Sequence, residues 1–98
     1  MAFQHLSIAQ LKTMMNDGEV AIVDIRDQQS YLAGHIDNAI HLHQENMDAV
    51  LLSLDMDQPL VVCCYHGNSS QGAADFLNDK GFDQTFSLAG GYTAWMAS

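Results

Sequence analysis

Two short runs in the chain, Val20-Ala21-Ile22-Val23-Asp24-Ile25 and Leu60-Val61-Val62-Cys63-Cys64, are apolar almost without interruption. A strand with no polar face has to be covered on both sides, the condition of a strand inside a parallel sheet rather than on an open antiparallel one. Pro59, the single proline, stands just before the second run, where a strand tolerates it.

Helical patterns separate these runs. Ser7 to Gln10 reads as a capping box with Leu6 and Leu11 as its hydrophobic staple, so a helix is expected over 8–16. Its apolar face is Ile8, Leu11 and Met15, and Asp17-Gly18 stops it. A short helix over 28–33 ends at Gly34, and Ala39-Ile40-His41-Leu42 reads as the next strand. Met47, Val50, Leu51 and Leu54 recur at helical spacing, which predicts an amphipathic helix over 46–54. The turn Gly67-Asn68-Ser69-Ser70 opens a helix that runs to about Lys80, closes at Gly81 and is expected to face Ala73, Phe76 and Leu77 inward. Thr85-Phe86-Ser87-Leu88 reads as a last strand, and Gly90-Gly91 leads into a short helix through Trp95. Alternation at these connection lengths predicts parallel βαβ units and an α/β fold: a small open parallel sheet with helices on both faces. At 98 residues, with no repeat or linker, one domain over 1–98 is expected.

Charge narrows the partners. Twelve Asp and Glu residues face three cations, Lys12, Arg26 and Lys80, for a formal net charge of −9. The cations are scattered, so no nucleic acid and no anionic membrane surface is expected as a partner. No apolar run is long enough to span a membrane, and Met1 to His5 lacks the basic start of a signal peptide, so a cytoplasmic location is expected. The two cysteines, Cys63 and Cys64, are adjacent, which ordinary disulfide geometry does not favour, and a reducing compartment suits them.

Open α/β sheets bind ligands beyond the carboxyl ends of their strands, which directs attention to Cys64 and the segment Tyr65-His66-Gly67-Asn68-Ser69-Ser70. Backbone N–H groups of that loop and the positive end of the following helix favour a thiolate, and a thiolate near neutral pH is a nucleophile. The same N–H groups form an anion cradle that needs no lysine or arginine, and Gly67 permits the backbone conformation it requires. The alternative is that Cys64 is a small apolar residue closing a core strand.

The stretch from Cys64 to Ser70 resembles the active-site loop of the single-domain rhodaneses. Val23-Asp24-Ile25-Arg26-Asp27, followed by Tyr31, Gly34-His35-Ile36 and Ala39, resembles the N-terminal signature of that family, and Gly90-Gly91-Tyr92-Thr93-Ala94-Trp95 its C-terminal one. Taken in order they cover nearly the whole chain. The resemblance implies a parallel sheet of about five strands and a thiosulfate sulfurtransferase working without a cofactor. In such a scheme Cys64 attacks the outer sulfur of thiosulfate, releases sulfite, becomes a persulfide and passes that sulfur to cyanide or to a thiol acceptor such as a thioredoxin-like dithiol. The amides of Tyr65 through Ser69, and the hydroxyls of Ser69 and Ser70, would bind substrate and stabilise its charge. A different implied role is a sulfur-carrier or protein-interaction module with little turnover on free thiosulfate. Many rhodaneses carry a cation at the end of this loop, where Ser69 stands here. The related phosphatases need an arginine six residues after the cysteine to clamp phosphoryl oxygens, and that position is Ser70.

The remaining polar residues have structural roles in prospect. Strand alternation points Cys63 away from Cys64 and into the core. Asp24 and Arg26 are expected to pair, His35 to lock a loop by a hydrogen bond, and Tyr92 and Trp95 to anchor the last helix. His41 and His43 share a strand face, and with His66 and the cysteines they raise the question of a metal. The paired spacing of zinc ligands is missing, so no metal is expected. His66 either tunes the thiolate or faces solvent.

Overall fold

The computed structural model describes residues 3–98, so Met1 and Ala2, the first part of the start read as lacking a leader, lie outside the described residues. Five strands form one sheet: β1 (Gln4–Leu6), β2 (Ala21–Asp24), β3 (Ile40–His41), β4 (Leu60–Cys63) and β5 (Thr85–Leu88), in the order β1-β5-β4-β2-β3. Every pairing is parallel, as the two apolar runs require. The second run, β4, is the middle strand, with Val61 opposite Ile22 on one side and Phe86 on the other. The connecting helices are α1 (Ile8–Asp17), α2 (Gln28–Ala33), α3 (Met47–Ser53), α4 (Ser69–Asp79) and α5 (Gly91–Ala97).

Alternation along β4 sorts the core into two layers. Leu60 and Val62 join Val23, Ala74, Leu77 and Phe82 on the face covered by α3 and α4. Val61 and Cys63 join Leu11, Ile22, Ile36 and Leu88 on the face covered by α1 and α5. Leu60, Val61, Val62 and Cys63 are each at most 1 % exposed. Full burial of a Val or Leu side chain is worth about 1.5–3 kcal/mol, so this strand is a main source of stability.

Local signals act as written. Ser7 Oγ accepts from the Gln10 amide at 3.1 Å while Gln10 Oε1 accepts from the Ser7 amide at 2.9 Å, completing the capping box. Leu6 and Leu11 pack in one cluster, and Gly18 ends α1 at φ 75°. Two expectations are corrected, and one strand was not expected. Strand β1 goes unread from the sequence, because only Leu6 of its three residues is buried and no alternation shows. On α4 the buried stripe is Ser70, Ala74 and Leu77, and Phe76 is 45 % exposed rather than inward. The sheet face admits the small Ala74, while Phe76 lies outside beneath the Lys80 ammonium. Strand β4 ends at Cys63, one residue early, and the ladder continues past β2 with the Ile25 amide donating to the Cys63 carbonyl at 3.0 Å. Among the described residues no helix is long and apolar enough to cross a membrane.

Candidate active site

Cys64 is the first residue beyond the middle strand and is only 3 % exposed. Alternation turns its side chain towards α4, while Cys63 points into the opposite layer, where burial pushes its thiol pKa up to about 12. Two adjacent thiols thus have unlike chemistry.

The Cys64 sulfur accepts hydrogen bonds from the amides of Gly67 at 3.2 Å and Ser70 at 3.3 Å. Ser70 Oγ lies 3.3 Å from the same sulfur. Ser70 is the second residue of α4, so its amide is one that the helix leaves without an internal acceptor. A side chain at the helix cap usually takes that donor, but Asn68 makes no such bond, and the Cys64 sulfur takes it instead. Burial of Cys64 works against the charged form, yet the Ser70 hydroxyl and the amides of Ser70, Gly67 and His66 outweigh it and hold the thiol below its ordinary pKa. Gly67 makes the turn possible: its φ is 89°, and a Cβ there would lie 2.9 Å from the Gly90 nitrogen.

The loop is held from behind by α5. The Tyr92 amide donates to the Cys64 carbonyl at 2.8 Å and the Thr93 amide to the Tyr65 carbonyl at 3.1 Å. With those carbonyls turned to α5, the N–H side of the loop is left to face the sulfur. Gly91 allows the close approach, since a Cβ on it would stand 2.5 Å from the Cys64 carbonyl oxygen. Of the six loop residues expected at the site, Gly67 and Ser70 are buried against the sulfur, and Tyr65, His66, Asn68 and Ser69 are exposed around it. The Tyr65 hydroxyl reaches Ser30 Oγ at 3.0 Å, which ties the loop to α2. The Ser70 amide lies beyond the Tyr65 to Ser69 range that the resemblance implied but belongs to the first turn of α4, whose positive end was expected to face the sulfur. Two contributors went unread from the sequence: the α5 amides, and Ser87, whose Oγ is 2.7 Å from Ser70 Oγ.

Among the described residues no Lys or Arg hydrogen-bonds the Cys64 sulfur, and the Arg26 guanidinium approaches the loop at the Tyr65 ring, 5.8 Å from its centre. Arg26 is committed to Asp24, with Nη2 2.7 Å from Oδ2, and donates to the Gly34 carbonyl at 2.7 Å while its guanidinium lies 4.1 Å from the Tyr92 ring centre. Lys12 donates to Ser98 Oγ and Lys80 lies over Phe76. His35 bonds the Tyr31 carbonyl through Nδ1 at 2.8 Å, and Tyr92 and Trp95 pack on the α1 side of the sheet. His41 and His43 neighbour one another, with ring centres 5.2 Å apart, but His41 Nε2 is engaged with the Arg26 carbonyl at 2.6 Å. Among the described residues no group of three or more His, Cys, Asp or Glu side chains is gathered closely enough to hold a metal ion.

The chain as a whole has counterparts among known proteins. The family model described as "Rhodanese-like domain" matches residues 7–98.

The chain belongs to the rhodanese family. It is 52 % identical over 94 residues to a protein of Shewanella oneidensis named thiosulfate sulfurtransferase GlpE, covering 96 % of this chain and 93 % of that one. A protein of the same name from Pseudoalteromonas translucida is 46 % identical over 98 residues, covering 100 % of this chain and 93 % of the relative. The solved structure of a human single-domain sulfurtransferase superposes with a TM-score of 0.82 at 19 % identity, over 96 % of each chain, and shows the same fold. This rhodanese therefore presents its sulfur to backbone and hydroxyl donors, while the Arg26 guanidinium stands at the Tyr65 ring.

Proposed function

We propose that this rhodanese is a thiosulfate sulfurtransferase in which Cys64 carries the sulfur. The observation that carries the proposal is the Cys64 sulfur itself, buried at the carboxyl end of the middle strand and held by the Gly67 and Ser70 amides and the Ser70 hydroxyl. The curated relatives named thiosulfate sulfurtransferase support the choice of donor.

The depressed pKa raises the thiolate fraction above that of an ordinary cysteine. That thiolate attacks the outer sulfur of thiosulfate. A bond forms between the Cys64 sulfur and the outer sulfur, the sulfur–sulfur bond of thiosulfate breaks, and sulfite leaves with the electron pair. Cyanide or a thiol acceptor then attacks the outer sulfur of the persulfide, and Cys64 leaves as thiolate. A thioredoxin-like dithiol is one such acceptor. Tyr65, His66, Asn68 and Ser69, exposed around the sulfur, are the loop residues assigned to hold the sulfonate, through preorganised backbone dipoles and the Ser69 hydroxyl. One domain over 1–98, with no cofactor and in the cytoplasm, is assigned the whole cycle.

The negative field of a chain with net charge −9 slows encounter with a dianion, and Arg26, beside the loop at Tyr65, is already paired with Asp24. That observation favours a second role, a sulfur carrier that receives sulfur from a protein persulfide and turns over free thiosulfate poorly. Steady-state sulfite release from thiosulfate, compared with sulfur transfer to Cys64 from a protein persulfide donor read by mass on the Cys64 peptide, separates them. Sulfite release at rates of about 1 per second or faster, lost in Cys64→Ala, is expected for the enzyme. Release that persists in Cys64→Ala refutes the proposal.

A further inference from the structure

Strand β5 presents two buried hydroxyls to α4. Its Phe86 and Leu88 pack in the layer of α1 and α5, so alternation turns Thr85 and Ser87 to the opposite face. The two differ in what they meet. Thr85 Oγ1 is buried with no hydrogen-bond partner, whereas Ser87 Oγ lies 2.7 Å from Ser70 Oγ. Ser70 and Ser87 are both 0 % exposed, and Ser70 Oγ in turn stands 3.3 Å from the Cys64 sulfur. A line of three groups therefore runs from the strand beside β4 to the sulfur, its two hydroxyls closed to water.

A serine hydroxyl has one proton to donate, so Ser70 serves either Ser87 or the sulfur, not both. When Cys64 is a thiol, its S–H donates to Ser70 Oγ and the Ser70 proton goes to Ser87 Oγ. When Cys64 is a thiolate, the Ser70 proton turns to the sulfur, and the lone pair it leaves facing β5 is filled by the Ser87 proton. The thiol proton departs to solvent; the two hydroxyls only rotate, and no proton passes along them.

We propose that Ser87 is a positioning residue, whose buried hydroxyl holds Ser70 in the donating orientation and thereby favours the Cys64 thiolate. This rests on Cys64 being the reacting thiol. The thiolate arrangement is the charge-assisted one and gains more from the second donor than the neutral arrangement does, so the pair acts in one direction. When the charge moves out to the terminal sulfur of a persulfide, the Ser70 proton returns to Ser87, and the pair resets with each half of the cycle.

The test is the pH dependence of iodoacetamide alkylation at Cys64 in the full chain, read by mass on the Cys64 peptide. Ser87→Ala is expected to move the midpoint up by about half a pH unit, the size of a partial hydrogen-bond loss next to a charge. Ser70→Ala is expected to move it further, and Ser87→Ala added to Ser70→Ala to move it no more, because Ser87 acts only through Ser70. Thr85→Val, which removes a hydroxyl from the same strand face, leaves the midpoint where it is, and Ser87→Thr restores it. A Ser87→Ala midpoint equal to that of the unaltered chain overturns the proposal. So does an additive double variant, or a folded Ser87→Thr that keeps the alanine midpoint. Alkylation requires no sulfur transfer, and sulfite release run in parallel decides the thiosulfate activity separately.

Discussion

Replacing Gly91 by alanine is expected to damage a site that Gly91 never touches with a side chain. The new Cβ would stand 2.5 Å from the Cys64 carbonyl oxygen and 2.6 Å from the Tyr65 carbonyl oxygen. Real Cβ contacts essentially never fall below 3.0 Å, so that peptide unit must retreat by at least about 0.5 Å. Gly91 also sits at φ 60°, which costs an alanine about 1–2 kcal/mol. The retreat stretches the bonds from the Tyr92 and Thr93 amides, each worth about 1 kcal/mol net, for a total near 3 kcal/mol. In a domain of this size that lowers Tm by roughly 12–24 °C. Because the displaced carbonyl belongs to Cys64 itself, the sulfur shifts against the Gly67 and Ser70 amides, and kcat for sulfite release falls about 10- to 100-fold below the melting range. Gly18→Ala is the matched control. It has the same sign of φ, 75°, and nothing within 4 Å, so it pays only the strain and keeps full activity. Gly91→Ala with the activity of Gly18→Ala would show that the α5 contact does not hold the loop.

Three further outcomes follow from the same geometry. The folded-state pKa of Cys64 is depressed, so the stability this contributes is fully present above the ordinary thiol value of about 8.5 and is lost as pH falls through the folded pKa. Urea unfolding of the unaltered chain should therefore gain stability with rising pH in that window relative to Cys64→Ala, and parallel curves would contradict it. Cys63, whose pKa burial raises to about 12, is expected to resist alkylation in the native protein at pH 8. Alkylation of Cys63 at the rate of Cys64, read by peptide mass, would contradict this. Thr85→Val removes a buried hydroxyl that has no partner, and is expected to leave unfolding free energy unchanged or raise it by about 1 kcal/mol, where a loss above 1 kcal/mol would refute the orphan assignment.

The fold was legible wherever a residue answers to its own neighbours. The unbroken apolarity of Val61 and Val62 announced a strand covered on both faces, and Ser7 with Gln10 announced the start of α1 before any tertiary contact is considered. Cys63 and Cys64 point apart for a reason as local as strand alternation. Legibility failed where the deciding contact is distant. Gln4–Leu6 is a strand only because β5 lies beside it, its amide ladder continuing from Leu6 to Ala89. On α4 the apolar size of Phe76 misleads, because the closeness of the sheet, which the helix pattern does not encode, selects Ala74. At the candidate site the loop from Cys64 to Ser70 stood out by its position after a buried run and by family likeness. Its supports, the Tyr92 and Thr93 amides and the Ser87 hydroxyl, lie on other elements and carry no mark in the sequence.

The central claim is that the Cys64 sulfur takes up sulfur from thiosulfate, and the mass of the protein after reaction tests it most directly. Incubation of the full chain with thiosulfate, followed by intact-mass and peptide measurements, is expected to show a gain of one sulfur atom on the peptide holding Cys64, in equal number to sulfite released. Added cyanide is expected to remove it. The Cys64→Ser chain should gain nothing. A sulfur atom found on Cys63, or sulfite released without any mass gain on Cys64, would contradict the account.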